Sequence, residues 1–201
     1  MPVEYPIEDI LRYVFSDRQP FDPPIIADLG CKDVELANNL WQSLTRGCQL
    51  FAFDTNPTLS VTLRMLDGDW PVTFVTQDLT HIPNRFTELT NNNEGIPFFD
   101  AVIANNLFCN LTKRFIDPYI VAASIMYSLK PGGYVFVLDH LLNSVPPYGS
   151  EAVHDEYQRR YTEALAQGRL FGDVWTPDPP RWVHHFSIEK LAELFPAGKH
   201  K

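Results

Sequence analysis

The chain has 201 residues and a formal net charge of −9, with 45% hydrophobic and 20% charged residues. This composition is that of a globular protein large enough to bury its own core. The acidic balance excludes a basic field over the whole surface, so we do not expect direct binding to nucleic acid or to an anionic membrane.

The cysteine content and the hydropathy pattern indicate in which cellular compartment the protein is found. Cys31, Cys48 and Cys109 are far apart and show no Cys/His spacing of a metal site, which predicts reduced thiols and no bound metal. No apolar run reaches the ~18 residues of a membrane span. The first residues show no signal-peptide pattern. We therefore expect a cytoplasmic protein.

Apolar strands and helical patterns alternate between residues 25 and 139. Strands are predicted at 25–29, 49–53, 72–75, 99–104 and 134–138. Helices are predicted at 33–45, 58–66 and 112–129. The last of these helices has an apolar stripe formed by Ile116, Ile120, Ala123 and Tyr127. Nearly apolar strands that alternate with helices predict an α/β doubly wound fold, with a mostly parallel sheet and helices on both faces.

The pattern changes after residue 139. A polar helix is predicted over 150–167, followed by a loop over 172–185 that contains three prolines and two tryptophans. Ser187 is a suitable N-cap for a last helix over 188–194. No internal repeat is present, so a single domain over 1–201 is expected.

Polar residues follow the predicted strands at the positions where each strand ends. Asp28 lies at the end of the first strand and Gly30 follows that strand, in a turn of the kind that presents backbone N–H groups to a ligand. Asp54, Asp78 and Asn105 follow later strands. Ligands of open parallel sheets bind outside the carboxyl ends of the strands, so these residues predict a binding site. Its acidic character favours a cationic ligand over a phosphate-bearing dinucleotide.

The same residues lie in motifs that resemble those of class I S-adenosylmethionine-dependent methyltransferases. The resemblance covers residues 24–139 and rests on five segments in the same order and spacing: 27–31, 53–54, 77–83, 99–104 and 129–133. It implies a methyltransferase that uses S-adenosylmethionine. The residues that it implies for cofactor binding are Asp28, Gly30, Cys31, Asp54, Thr55, Asp78, Leu79 and Asn105. Within this set, Asp54 would bind the ribose hydroxyls and Asp78 the adenine.

The resemblance also suggests how the chain is divided. An N-terminal helix and linker would occupy residues 1–24, the cofactor-binding core 25–139, and the last helix and tail 187–201. Residues 140–186 would form a lid over a small-molecule acceptor, since their aromatic side chains could provide an apolar wall. His140 follows the fifth strand and is the candidate catalytic base.

Two departures from the family pattern leave alternatives open. Lys32 stands where the family usually has glycine, which is compatible with a working enzyme with a modified loop or with an inactive methyltransferase-like scaffold that binds other proteins. An RNA or protein methyltransferase with a partner subunit is a third possibility. The family's final antiparallel strand pair has no counterpart after the last helix. The expectation is a trimmed fold, a truncated chain, or an exposed sheet edge that binds a partner or a second copy.

Overall fold

The structure is a computed structural model. It describes residues 23–31, 48–56, 72–76, 79, 98–111, 116–139, 155, 159, 162–163, 166, 173–177, 180–184, 186 and 188–196. The chain divides into two compact units, one formed by Met1–Ile103 and Tyr127–Phe136 and the other by Ala104–Met126 and Val137–Lys201. The predicted helices over 33–45 and 58–66 lie outside the described residues.

A five-stranded sheet is the main element of the fold. In chain order its strands are β1 (Ile25–Leu29), β2 (Gln49–Asp54), β3 (Val72–Thr76), β4 (Phe99–Asn105) and β5 (Leu129–Leu138). They lie side by side in the order β3-β2-β1-β4-β5, so the order reverses between β1 and β4. β2 pairs in parallel with both β1 and β3. The predicted doubly wound α/β fold is confirmed.

Three helical elements have described bounds. A 3₁₀ helix, Phe108–Asn110, follows β4, helix α1 is Pro118–Ser128, and helix α2 is Ile188–Leu194. The five residues described between 155 and 166 are helical and exposed, in agreement with the predicted polar helix there. No helix among the described residues is long and apolar enough to span a membrane.

Helix α1 and β5 meet at a position that the sequence pattern does not predict. The Ser128 carbonyl accepts a hydrogen bond from the Phe98 N–H at 2.7 Å, so pairing begins where the helix ends. β5 therefore starts at Leu129 rather than at residue 134. Gly133 lies too close to backbone for a side chain, because a Cβ atom there would lie 2.9 Å from the Lys130 carbonyl oxygen and 3.2 Å from the Asp100 carbonyl oxygen of β4. Gly132, with φ of 77°, supplies the turn within the segment.

The prediction of a loop over residues 172–185 is wrong. It forms an antiparallel pair, β6 (Asp173–Pro177) and β7 (Pro180–His184), in a separate two-stranded sheet. Pro177 is opposite Pro180 at the turn end of the pair, where a missing N–H costs little. The prolines that indicate a loop in the sequence therefore mark the end of a hairpin. This pair precedes α2 and does not extend the five-stranded sheet.

The core of the sheet is apolar and aromatic. Ile26, Leu50 and Phe53 of the first two strands are fully buried. The Phe53 ring packs edge-on against Phe99 of β4, with ring centroids 6.2 Å apart. Burial of each such side chain stabilises the fold by about 1.5–3 kcal/mol, which explains why these strands read as continuous apolar runs.

A buried carboxylate joins the amino ends of three strands. Asp100, the second residue of β4, is 2% exposed. Its Oδ2 atom accepts hydrogen bonds from the Ile25 N–H at 2.8 Å and from Lys130 Nζ at 3.1 Å. Ile25 is the first residue of β1 and Lys130 the second of β5, so one side chain of β4 links the beginnings of both strands.

Replacement of Asp100 should test this role. We expect Asp100→Ala to lower the free energy of unfolding by about 1–3 kcal/mol, because the Ile25 N–H loses its acceptor. Urea unfolding followed by circular dichroism measures the change. Asp155→Ala removes an exposed helical carboxylate and should stay within about 0.5 kcal/mol of the unsubstituted protein. Equal effects of the two substitutions would contradict the role assigned to Asp100.

The thiol of Cys48, which directly precedes β2, provides a pH-dependent test of burial at the start of that strand. Burial raises the pKa of Cys48 from 9.0 to about 11, because the thiolate loses its hydration. At pH 8 about a thousandth of the thiol is ionised, against about a tenth in the unfolded chain, so alkylation by iodoacetamide should be roughly 100-fold slower. The rate should rise with pH up to about 11 in the native protein and level off near 9 in urea. Peptide mapping by mass spectrometry measures both, and equal rates at pH 8 would contradict the burial.

Candidate functional site

The turn after β1 is built around a glycine. Asp28 is 1% exposed within β1, and Gly30 follows the strand with φ of 69°, a conformation that strains other residues. The Gly30 and Cys31 N–H groups both donate to the Phe53 carbonyl oxygen, at 2.8 and 3.1 Å. The sequence pattern predicts that this turn presents its N–H groups to a ligand. In the structure these two groups are bonded to β2 instead, because the parallel pairing of β1 and β2 continues past the end of β1.

The end of β2 holds the second acidic residue of the predicted site. Asp54 is the last residue of β2 and is half-buried. Its Oδ1 atom accepts a hydrogen bond from the Asn56 N–H at 2.9 Å, which orients the carboxylate and turns the chain out of the strand. Thr55 lies in this turn and is exposed. Since Asp54 directly follows Phe53, the bonds of the Phe53 carbonyl bring the Gly30–Cys31 turn next to Asp54.

We refer to Asp28, Gly30, Cys31 and Asp54 as the β1–β2 cluster. The segments that carry it, 23–31 and 48–56, contain two aspartates and no lysine or arginine. These segments therefore offer a phosphate group no cation, and their two turn amides are already bonded to Phe53. Hydroxyl groups and cations would instead contact carboxylate oxygens. The cluster is suited to a neutral or cationic ligand with hydroxyl groups.

The end of β4 carries a second polar group, in the other compact unit. Asn105 is the last residue of β4, and its Oδ1 atom is buried and accepts no hydrogen bond within the described part of the chain. The next residue, Asn106, has φ of 50°, which is uncommon for a residue other than glycine. Its N–H donates to the Leu138 carbonyl at 2.7 Å, and its own carbonyl accepts from Asn110 Nδ2 at 2.6 Å. These bonds hold the chain in a sharp turn.

Asp139 contributes to this turn and is absent from the predicted site. It follows β5, and its Oδ2 atom accepts a hydrogen bond from the Cys109 N–H at 3.0 Å. Cys109 is in turn 3.3 Å from the Asn106 carbonyl through its Sγ atom. The sequence contains a signal for Asp139, because this residue follows an apolar strand as Asp54 does, but the same pattern also points to the neighbouring His140.

Aromatic contacts secure the 3₁₀ helix that completes the turn. Phe108 is fully buried and packs edge-on against Phe186 and Phe195, with ring centroids 6.3 and 5.6 Å apart. β7 also lies against this 3₁₀ helix. Part of the segment predicted as a lid, which ends at Phe186, therefore packs against the turn that follows β4.

The remaining predicted site residues divide into described and undescribed ones. Leu79 is buried. Asp78 and His140 lie outside the described residues, as does Lys32. Within the described residues, no group of three or more His, Cys, Asp or Glu side chains could hold a metal ion.

Comparison with known proteins identifies the family. A family model described as a methyltransferase domain matches residues 3–197. No curated protein sequence matches the chain.

Solved structures show the same fold at low sequence identity. One is a Burkholderia thailandensis 1,6-didemethyltoxoflavin-N1-methyltransferase with bound 1,6-didemethyltoxoflavin and S-adenosylhomocysteine. It is 19% identical with a TM-score of 0.53, and the match covers 96% of this chain and 64% of that one. An S-adenosylmethionine-dependent methyltransferase from Mesorhizobium loti is 18% identical with a TM-score of 0.57, over 95% of this chain and 77% of that one. Human N-acetylserotonin methyltransferase in complex with S-adenosylmethionine is 19% identical with a TM-score of 0.53, over 94% and 47%.

These matches confirm the family that the strand-end motifs resemble. The predicted enzyme class and the predicted methyl donor, S-adenosylmethionine, agree with this family. The chain spans about two thirds or less of the length of two of the three structures described above. Its model match and its five-stranded doubly wound sheet together show that the chain belongs to the methyltransferase-domain family.

Proposed function

We propose that this protein transfers a methyl group from S-adenosylmethionine to a small-molecule acceptor. The observation that carries the proposal is the β1–β2 cluster, in which the two turn amides are bonded to Phe53 and the charged side chains are carboxylates. A sulfonium cofactor with ribose hydroxyls matches such a set of acceptors, and a phosphate-bearing cofactor does not.

The residues of the cluster fit distinct parts of this cofactor. Asp54, half-buried and oriented by the Asn56 N–H, would accept hydrogen bonds from the ribose hydroxyls. Asp28 is buried beside the turn and would offset the positive charge of the methionine portion. Gly30 and Cys31 would support the cofactor through their positions beside Asp54. The bound cofactor would supply an electrophilic methyl group.

The other predicted residues keep their proposed roles. Asp78 and Leu79 would bind the adenine, and Thr55 and Asn105 would complete the cofactor site. His140 would take a proton from the acceptor as methyl transfer proceeds. Two of the structural relatives are named after small molecules, 1,6-didemethyltoxoflavin and N-acetylserotonin. This supports a small-molecule acceptor for the present chain.

An inactive scaffold is the second candidate, and Lys32 is the residue that favours it. A positive charge beside the sulfonium would oppose cofactor binding, and such a protein would act through its partners. β5 is the last strand in the order of the five-stranded sheet, so its outer edge is the one at which we expect a partner or a second copy to bind. An RNA or protein methyltransferase with a partner subunit would use the same cofactor site.

Calorimetry with S-adenosylhomocysteine tests the proposed function. The unsubstituted protein should bind it, and Asp54→Ala should weaken binding by about 1–3 kcal/mol, because a charged acceptor of two hydroxyl bonds is lost. Asp155→Ala, at an exposed helical position, is the matched control and should leave the dissociation constant unchanged. Absence of binding by the unsubstituted protein at about 1 mM ligand would support the scaffold instead.

Lys32→Met tests whether the lysine charge acts on the cofactor. S-adenosylmethionine carries a sulfonium and S-adenosylhomocysteine a neutral sulfur, so removal of a nearby ammonium should favour the first. We expect the ratio of their affinities to rise by about fivefold, which corresponds to roughly 1 kcal/mol. Lys190→Met on α2 is the control, since Lys190 is paired with Glu193 on the surface of that helix. An unchanged ratio in Lys32→Met would mean that the ammonium points away from the sulfonium.

A further inference from the structure

The turn that follows β4 has two unfavourable features in consecutive residues. Asn105 Oδ1 is buried and accepts no hydrogen bond among the residues that the structure describes. A buried polar oxygen without a donor destabilises a fold, so such atoms are rare. Asn106 has a φ of 50°, in the left-handed region that residues other than glycine seldom adopt. Features of this kind cluster at functional sites and persist only where the surrounding structure imposes them.

The end of β5 imposes this conformation through two hydrogen bonds between described residues. The Asn106 N–H donates to the Leu138 carbonyl oxygen at 2.7 Å, and the Cys109 N–H donates to Asp139 Oδ2 at 3.0 Å. Leu138 and Asp139 are consecutive, so the end of β5 holds the turn at residue 106 and again at residue 109. The first bond joins two backbone atoms and depends on neither side chain. The second bond uses the Asp139 carboxylate, so a substitution at Asp139 can loosen the turn.

The rest of the turn is fixed by packing within the same compact unit. Phe108 is fully buried and its ring packs against Phe186, so the 3₁₀ helix has little freedom to move. All of these residues belong to the unit formed by Ala104–Met126 and Val137–Lys201. The buried Asn105 oxygen therefore lies in a fixed turn, where an N–H or O–H group of a bound ligand would supply the missing donor.

We propose that Asp139 is a positioning residue for ligand binding at the end of β4. Its carboxylate holds the Cys109 N–H, this bond keeps the turn in its conformation, and Asn105 Oδ1 is left to accept a hydrogen bond from the ligand. The inference rests on the proposed function, in which Asn105 helps to complete the cofactor site. If loss of the bond leaves the turn in this conformation for about a tenth of the time, the apparent affinity falls about tenfold.

Calorimetry with S-adenosylhomocysteine tests this role by comparing two substitutions of Asp139. Asp139→Ala removes the acceptor of the Cys109 N–H and should weaken binding by about tenfold. Asp139→Asn keeps an oxygen that can accept this bond, but the bond loses its charge assistance. Since a charge-assisted hydrogen bond is about twice as strong as a neutral one, Asp139→Asn should weaken binding by only about threefold.

Asp117→Ala is the matched control. Asp117 Oδ1 accepts a hydrogen bond from the Tyr119 N–H at 2.9 Å, and it lies in the same compact unit as Asp139. The control therefore loses the same kind of bond, between a carboxylate and a backbone N–H, at the start of α1 rather than in the turn. It should leave the dissociation constant for S-adenosylhomocysteine unchanged.

Hydrogen exchange measured by mass spectrometry gives a second readout that needs no ligand. Peptides that contain Cys109 should exchange faster in Asp139→Ala than in the unsubstituted protein, because the Cys109 N–H loses its acceptor. Asp139→Asn should be intermediate, and Asp117→Ala should leave these peptides unchanged. Unchanged exchange in Asp139→Ala would overturn the inference.

The binding results separate this inference from the proposed function. Binding by Asp139→Ala with the affinity of the unsubstituted protein would overturn the inference alone. Equal weakening by Asp139→Ala and Asp139→Asn would also overturn it, because the charge of Asp139 and not its bond to Cys109 would then act on the ligand. Equal weakening by Asp117→Ala would do the same, since a general loss of stability would be the cause. Absence of binding by the unsubstituted protein would overturn the proposed function, and this inference with it.

Discussion

The sheet depends on one buried carboxylate at the amino ends of its strands. Asp100 is 2% exposed and accepts hydrogen bonds from a backbone N–H and from Lys130. A buried charge of this kind is tolerated only when its oxygens have donors, so the first residue of β1 and the ammonium of Lys130 must lie beside Asp100. Strand starts fixed at one edge also determine which residues reach the other edge. The positions of Asp28 and Asp54 at the ends of β1 and β2 follow from this alignment and from the register of the pair.

The site differs from a nucleotide-phosphate site in its backbone rather than in its sequence pattern. A strand, a turn with glycine and a following helical pattern are common to both types of site. What separates them here is the hydrogen bonding of Gly30 and Cys31 to the carbonyl of Phe53. With these amides bonded, the polar character of the β1–β2 cluster comes from carboxylates. The family match and this chemistry point to the same class of cofactor.

Much of the fold could be predicted from the sequence, because the strands of the sheet are buried and nearly all apolar. β1 and α2 have the predicted bounds, and β2, β3 and β4 are each one residue longer than predicted. The start of β5 could not be predicted, since it depends on a backbone bond between Ser128 and Phe98. The hairpin of β6 and β7 was hidden by prolines that stand at its turn. Local patterns cannot reveal contacts between distant segments.

The candidate site could be predicted in part for the same reason. Acidic residues at strand ends are visible in the sequence, and Asp28 and Asp54 are where they were expected. Asp139 was overlooked because its function in the turn depends on Cys109, 30 residues earlier in the chain. The exposed side of α1 was not identified either. An apolar stripe normally faces the core, and only the burial of Val121, Ala122 and Ile125 shows that here it does not.

The Phe53 carbonyl oxygen accepts two hydrogen bonds, and this has a consequence for protein engineering. One acceptor holds both turn amides, so the turn cannot release one of them for a new ligand while the pairing of β1 and β2 persists. A substitution at Asp28 or Cys31 would change a side chain and leave the two backbone donors and their acceptor in place. A phosphate-bearing cofactor at this turn would therefore need hydrogen-bond donors other than these two amides.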